Sequence, residues 1–312
     1  MIALLNLLAI IMTASRYAKE RLAMRALTGP TNPDGAADPI ISHPDVRRML
    51  LSMKAFSEGA RSMIYECALL QDQLTEAQAN GDEAAAKAID DRMGFLTPIL
   101  KGFLTEIGVD AANMGIQVYG GHGYIKSNKQ EQVLRDVRIG AIWEGTTGIQ
   151  ALDLLGRKVM LQKFKPLNTH LGEIYKTCVA IAQEGGGTNL RKHAMTLLAR
   201  AVEWHVLTGG IALKAKFQSM DAVGVASVDY LMYAGYIQMG FHWLKMEAAA
   251  EAALASGNME QPKEFYEAKV QTAQFYFDNL LPKTKTLRST MFTPIDSIMG
   301  MKVENFSFDH SQ

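Results

Sequence analysis

The most informative part of the sequence is Gln117–Gln150, which reads QVYGGHGYIKSNKQEQVLRDVRIGAIWEGTTGIQ. Its first part places Gly120, Gly121 and a third glycine around a histidine, directly after a helical pattern. A glycine cluster of this kind ends a helix. The order GGHG does not match the GxGxxG fingerprint, so no Rossmann site is predicted. The last part, WEGTTGIQ, holds one acidic residue, Glu144.

Glu144 has the clearest chemistry of the stretch. A carboxylate beside Trp143 loses solvation, which favours proton uptake and makes it a better base. Gly145 allows a ligand to approach the backbone closely, and Thr146 begins a helix whose free N–H groups attract phosphate. A helix-capping loop with an incidental glutamate explains the same residues, so the spacing alone leaves both interpretations open.

Outward from this stretch, the composition indicates a globular helical protein. Of the 312 residues 48% are hydrophobic and 21% charged, with 32 basic and 32 acidic side chains. A balanced charge does not favour a nucleic-acid partner. Strand signals are scarce and apolar residues recur at helical spacing. Cys67 and Cys178 form no CxxC pair, which argues against a disulfide framework or a metal site and favours a reducing, cytoplasmic location.

The periodicity predicts two groups of helices separated near residues 164–167. Ser42 is the expected N-cap of the second helix, and Thr97-Pro98 is the expected start of a new one. Between the first two helices the proline-rich residues 27–44 form a loop. The expected helices cover about 1–25, 42–79, 83–93, 97–118, 130–139 and 147–160, then 169–183, 190–217, 225–256 and 262–281.

Residues 1–12, MIALLNLLAIIM, are almost wholly apolar. A membrane span needs about 20 such residues, and a secretory signal needs a basic region before the apolar run. We therefore expect a buried helix that begins inside a longer parent sequence. Farther along the chain, the pairs Trp204-His205 and His242-Trp243 are interpreted as packed or rim residues of long helices.

Taken together, three motifs resemble the acyl-CoA dehydrogenase family. QVYGGHGY at 117–124, RDVRI at 135–139 and WEGTTGIQ at 143–150 match family stretches in order and separation. YAKER at 17–21 resembles the helix that leads to the flavin. LTGP at 27–30 and HPDVRR at 43–48 are most similar to the larger bacterial members, a subgroup that includes 3-methylmercaptopropionyl-CoA dehydrogenase.

The resemblance implies an all-α chain, with the family's C-terminal four-helix bundle over 1–163 and a further helical bundle domain over 164–312. It also implies an FAD enzyme that removes hydrogen from an acyl-CoA in fatty acid β-oxidation. In that family a glutamate takes the α-proton, and Glu144 matches it. Gly145 and Trp143 match positions beside the substrate. Thr146 and Gly148 match positions near the FAD diphosphate, and Arg25 matches an arginine that binds that diphosphate. Gln117, Gly120 and Gly121 match positions that touch the FAD of a neighbouring subunit.

The cross-subunit cofactor implies a homodimer or tetramer, and the family implies an electron acceptor such as an electron-transfer flavoprotein. The family's N-terminal helical domain and middle β domain have no counterpart in the sequence. A fragment, a split-gene subunit and a truncated gene product are therefore all open. A non-catalytic helical scaffold derived from such an enzyme is the main alternative function, and a plain helical bundle with a chance motif is a third.

Overall fold

The structure is a computed structural model that describes residues 2–184 and 187–307, with only the backbone described for 2–9. The chain is mainly helical over these ranges. Within these ranges no strand forms, and the one β feature is an isolated antiparallel bridge between Leu22 and Pro39. The predicted all-α fold is confirmed. In the same ranges, no helix combines the length and the apolar character that a membrane span requires.

The first half is built around long helices that pack side by side. The turn Asn80–Asp82 joins two of them, and the Asp82 side chain caps the second by accepting a hydrogen bond from the Ala85 amide at 3.0 Å. The helices of this half are α1 (Ile2–Glu20), α2 (Pro44–Ala79), α3 (Glu83–Tyr119), α4 (Gly121–Tyr124), α5 (Gln130–Arg138) and α6 (Thr147–Leu152), which continues in π-helical turns over Asp153–Leu161.

The second half begins with α7, which starts at Lys165 rather than at the predicted residue 169. Its helices are α7 (Lys165–Glu184), α8 (Thr188–Phe217), α9 (Asp221–Ser256), α10 (Lys263–Phe275), α11 (Thr284–Thr290) and α12 (Asp296–Met299), with π and 3-10 turns over Tyr276–Leu280 and Leu281–Lys283 between α10 and α11.

Helix α9 joins the two halves. It packs against α8 and α10 of its own half and against α2, α3 and α6 of the first half. The indole N–H of Trp243 donates to the Ala55 carbonyl at 3.1 Å, and both residues are fully buried. One continuous apolar core therefore runs through both halves. The domain boundary at 163/164 stays a prediction.

The predicted end of the first helix, near Arg25, is wrong, because α1 stops at Glu20. The following backbone pairs with the end of the proline-rich loop instead: the Ile40 amide donates to the Arg21 carbonyl at 2.8 Å, and the Ala23 amide to the Asp38 carbonyl at 3.0 Å. Of the predicted buried residues 1–12, Ile10 is buried but Met12 is 70% exposed, so the prediction is wrong for Met12. The side chains of residues 1–9 lie outside the described residues.

Two predicted helix starts are also wrong. Ser42 does not cap α2, since its hydroxyl lies 2.9 Å from that of Thr31 and His43 occupies the N-cap position. Thr97-Pro98 does not begin a helix, because Pro98 lies inside the continuous helix α3. Four residues before the proline lies Gly94, which has no side chain, and Pro98 itself is buried. Tertiary packing here outweighs the usual cost of an interior proline.

Candidate functional site

Glu144 lies in a tight turn between α5 and α6. The segment before it follows a 3-10 turn over Ile139–Ala141 and is anchored by Ala141, which is buried. The backbone of Glu144 has a φ of 55°, and Gly145 follows with a φ of 98°. A left-handed conformation is uncommon for a residue other than glycine and is strained by roughly 1–3 kcal/mol. The turn therefore holds its carboxylate residue in a conformation that needs support from neighbours.

Two side chains hold this turn. The Lys101 ammonium on α3 donates a hydrogen bond to the Gly145 carbonyl, and the Gln150 side-chain amide on α6 donates to the Glu144 carbonyl at 3.3 Å. Burial lowers the pKa of Lys101, and the negative charges of Glu144 and Glu106 oppose that shift. The backbone of the turn is thus tied to α3 and to α6.

The described residues do not shield Glu144 from water, although the sequence predicts that it loses solvation beside Trp143. Glu144 is exposed, and Trp143 retains 50% of its accessible surface. Ile142 and Ile149, on either side, are 49% and 58% exposed. That prediction is wrong for the described residues, because a neighbouring tryptophan excludes water only where a second surface faces it. The turn lies instead in an exposed apolar patch, a feature typical of a surface that another molecule or domain covers.

The predicted cofactor positions fall into two groups. Thr146, an exposed residue, and Gly148 lie beside Glu144, and the Thr146 hydroxyl makes no capping hydrogen bond. Gln117, Gly120 and Gly121 lie at the far end of α3. From Lys101 to Gln117 is 16 residues, or about 24 Å along a helix at 1.5 Å per residue. One chain therefore does not bring the two groups together.

The far group is open to a ligand. Gln117 is exposed, and a Cβ atom added to Gly120 or Gly121 would meet no atom within 4 Å; the same holds for Gly148. The rings of Tyr17 and Tyr119 stack beside this group with centroids 4.1 Å apart. Backbone at these glycines can thus be approached closely, as a bound cofactor would require.

The Arg25 guanidinium is engaged in hydrogen bonds within the proline-rich loop. Its guanidinium donates to the Asn32 carbonyl at 2.8 Å, to the buried Asp38 carboxylate at 3.3 Å and to the Gly35 carbonyl. Hydrogen bonds from the backbone N–H groups of Ala26, Asn32 and Thr31 hold the pKa of Asp38 at about 2, against the opposing effect of burial and with the help of Arg25. These contacts give Arg25 a structural role, and its predicted contact with FAD stays a prediction.

Sequence reasoning missed Lys101 and Gln150, the residues that hold the Glu144 turn. A signal for Lys101 exists, because it is the only basic residue between Met93 and Tyr119, in an otherwise apolar and acidic part of α3. It also missed a buried polar network around Glu66, which accepts hydrogen bonds from Arg92 at 2.6 Å and lies 2.8 Å from His242.

The histidine–tryptophan pairs were interpreted correctly as packed or rim residues. Trp204, His242 and Trp243 are buried, and His205 is exposed on α8.

Comparison with known proteins decides the family. Residues 8–160 match the model "Acyl-CoA dehydrogenase, C-terminal domain", and residues 170–302 match "Acetyl-CoA dehydrogenase C-terminal like". A 3-methylmercaptopropionyl-CoA dehydrogenase of Ruegeria pomeroyi is 33% identical over 291 residues, which are 92% of this chain and 46% of the relative. The chain belongs to the acyl-CoA dehydrogenase family. The predicted resemblance to its larger bacterial members is confirmed.

A second relative agrees, and a solved structure shares the fold. The broad-specificity linear acyl-CoA dehydrogenase FadE5 of Mycobacterium tuberculosis is 32% identical over 297 residues, covering 93% of this chain and 48% of the relative. The fold matches the crystal structure of a Bacillus anthracis acyl-CoA dehydrogenase complexed with FAD, with a TM-score of 0.68, 18% identity, and coverage of 93% of this chain and 46% of that one. The chain thus spans about half the length of the curated relatives it matches.

Proposed function

We propose that the protein takes part in the FAD-dependent α,β-dehydrogenation of an acyl-CoA thioester, with Glu144 as the base that removes the α-proton. The observation that carries the proposal is the left-handed, doubly held turn at Glu144 in a chain of this family. Backbone strain at an exposed acidic residue supports a functional role, because strain is retained where a site depends on the geometry.

Within this proposal the two groups of cofactor positions contact two different FAD molecules. Thr146 and Gly148 contact the FAD beside the chain's own Glu144, while Gln117, Gly120 and Gly121 contact the FAD of a neighbouring subunit. Their separation of about 24 Å along α3 and the open space at the glycines support the arrangement. When bound, FAD supplies the acceptor for the hydride that leaves the β-carbon.

The chain's own residues handle the proton. The Glu144 carboxylate accepts it from the α-carbon, which the thioester carbonyl acidifies. No described residue accepts a hydrogen bond from the Glu144 backbone N–H, so that group is available to polarise the carbonyl. Gly145 allows the sharp turn after Glu144, with the Gln150 side chain packed against it, and Trp143 forms an apolar wall beside the thioester. Lys101 fixes the turn so that the carboxylate keeps its orientation.

Desolvation of Glu144 has to come from a second surface. The relatives are about twice as long as this chain, and a segment or subunit equivalent to their remaining half would face the apolar patch around Trp143. We propose that this contact excludes water from Glu144 in the working enzyme, which strengthens it as a base. We further propose a homodimer or tetramer, an electron-transfer flavoprotein as acceptor, a role in fatty acid β-oxidation and a cytoplasmic location.

The exposure of Glu144 also favours a second candidate, a helical scaffold without catalytic activity. An absorbance and turnover experiment separates the two. The chain, alone and together with a polypeptide equivalent to the rest of its relatives, is purified and tested for bound flavin and for dye reduction with acyl-CoA. A yellow protein that reduces the dye only with acyl-CoA supports the dehydrogenase. A colourless, inactive protein that still forms a stable oligomer in both preparations would favour the scaffold.

A further inference from the structure

Helix α8 is apolar on two opposite sides. Its inner side packs against α7 and α9 and buries residues such as Trp204 and Leu207. A helix that is apolar all round is normally buried all round. On the outer side of α8, however, five large apolar side chains keep 48–72% of their surface exposed: Met195, Val202, Val206, Leu213 and Phe217. This outer side is therefore a candidate contact surface.

The five exposed side chains form one continuous stripe. Met195, Val206 and Phe217 are 11 residues apart, and so are Val202 and Leu213. Eleven residues make about three turns of a helix, so each set points to the same side. The stripe extends for about 33 Å along α8, and none of its residues belongs to the Glu144 turn or to the predicted cofactor positions. It is therefore distinct from the proposed active site.

The charged residues along the stripe already have partners or lie at its end. Glu203 accepts hydrogen bonds from Arg200 at 2.5 Å and from Arg288 at 2.6 Å. The Lys214 ammonium donates to two backbone carbonyls at 3.1 and 3.3 Å. Of the charged residues on this length of α8, only Lys216, in the last turn, is exposed. Covering the stripe would thus bury no charge that lacks a partner, which is the usual cost of such a contact.

The order of large and small residues makes the stripe complementary to itself. When two copies of α8 are paired antiparallel around Val206, the same residue of each copy meets at the centre. Ala199 of one copy then faces Leu213 of the other, and Val202 faces Gly209. A Cβ atom added to Gly209 would meet nothing within 4 Å, so this glycine leaves space for a facing side chain. Two-fold symmetry makes every one of these contacts occur twice.

We propose that a second copy of this chain covers the stripe, with the two α8 helices antiparallel about a two-fold axis at Val206. Helices with side chains are about 10–12 Å wide, so a contact about 33 Å long covers roughly 700 Å² over both copies. Stable protein complexes bury about 1,200–2,000 Å². The dimer is therefore weak and reversible, with a Kd in the micromolar range. It uses no residue of the proposed dehydrogenase site, so either proposal can fail without the other.

Sedimentation velocity of the full chain over about 1–100 µM tests the association. We expect a reversible monomer–dimer equilibrium. Val206→Lys places two ammonium groups face to face at the axis and is expected to raise the Kd at least about tenfold. The matched control is Leu161→Lys, at an apolar residue outside α8 that is 77% exposed, and it is expected to leave the Kd unchanged. Circular dichroism checks that both variants are folded.

Cysteine crosslinking tests the two-fold arrangement, in a Cys67→Ser background. Val206→Cys is expected to form a covalent dimer under mild oxidation, because the two copies of this residue face each other. Ala199→Cys alone is not, since its two copies lie about 21 Å apart along the helix axis. Mixed with Leu213→Cys protein, however, it is expected to crosslink.

Three results would overturn the proposal. The first is a chain that stays monomeric at every concentration. The second is a dimer that Val206→Lys does not weaken, or one in which Ala199→Cys crosslinks to itself as readily as Val206→Cys. The third is a monomeric chain that binds a polypeptide equivalent to the rest of its relatives and loses that binding in Val206→Lys, which would assign the stripe to that polypeptide.

Discussion

Gly235 on α9 gives a quantitative test of the contact between the two halves. A Cβ atom at this position would lie 2.1 Å from Cγ of Phe103 on α3, whereas carbon atoms in contact are about 3.5–4.0 Å apart. Phe103 is fully buried and its ring packs edge-on against Tyr236 with centroids 5.0 Å apart, so it has little room to move. Gly235→Ala therefore forces α3 and α9 apart.

The expected magnitude combines two effects. Alanine in a helix interior is about 1 kcal/mol better than glycine, while overpacking of a core costs about 1–3 kcal/mol. Taking the upper value for a fully buried ring, we expect Gly235→Ala to lower the free energy of unfolding by about 2 kcal/mol. Gly224→Ala, on the same helix, is the matched control: a Cβ atom there meets nothing within 4 Å, so we expect a gain of about 1 kcal/mol.

Urea unfolding followed by far-ultraviolet circular dichroism measures both variants, with the slope m unchanged if only the native state is affected. Combining Gly235→Ala with Phe103→Leu is expected to cost less than the sum of the single changes, because the shorter side chain makes room for the methyl group. A Gly235→Ala protein as stable as the Gly224→Ala protein would refute the close packing of α9 on α3.

Two further predictions concern Lys101 and Asp38. Lys101→Met removes the donor to the Gly145 carbonyl and is expected to speed hydrogen exchange in the Glu144 turn. Turnover is expected to fall about fivefold, which corresponds to about 1 kcal/mol of lost hydrogen bonding. Unchanged exchange would exclude its positioning role. The folded pKa of Asp38, about 2, lies below the ordinary value near 4. Its stabilisation is therefore complete above about pH 4 and lost as the pH falls towards 2. Asp38→Asn is expected to remove that part of the acid sensitivity in unfolding measurements, and an unchanged pH profile would contradict it.

The fold was predictable because local pattern and tertiary packing agree over most of the chain. Helical spacing indicated most of α9 and both parts of α3, although the sequence divided α3 near Pro98. Three motifs between Gln117 and Gln150 indicated the family. The failures have specific causes. α1 ends early because the backbone after Glu20 pairs with the loop around Asp38, a long-range contact without a local signature.

The candidate site was predictable only in part. The sequence placed Glu144 beside Trp143 and Gly145, and its turn follows from those residues. It did not indicate that Lys101, more than 40 positions earlier, holds the turn, since such a contact depends on how α3 and α6 pack. The sequence also did not indicate how far Glu144 is exposed to water. The described residues leave Glu144 exposed, and only a second surface packed against Trp143 and its neighbours would exclude water from it.

The most direct measurement compares turnover of acyl-CoA by the parent protein and by Glu144→Gln, both combined with a polypeptide equivalent to the rest of their relatives. The amide keeps the shape of the side chain but cannot take the α-proton. We expect a loss of at least 100-fold, within the range for removal of a general base, with flavin content and stability unchanged and with Glu76→Gln, an exposed glutamate on α2, behaving as the parent. Turnover of Glu144→Gln at the parent rate would contradict the assignment of the base.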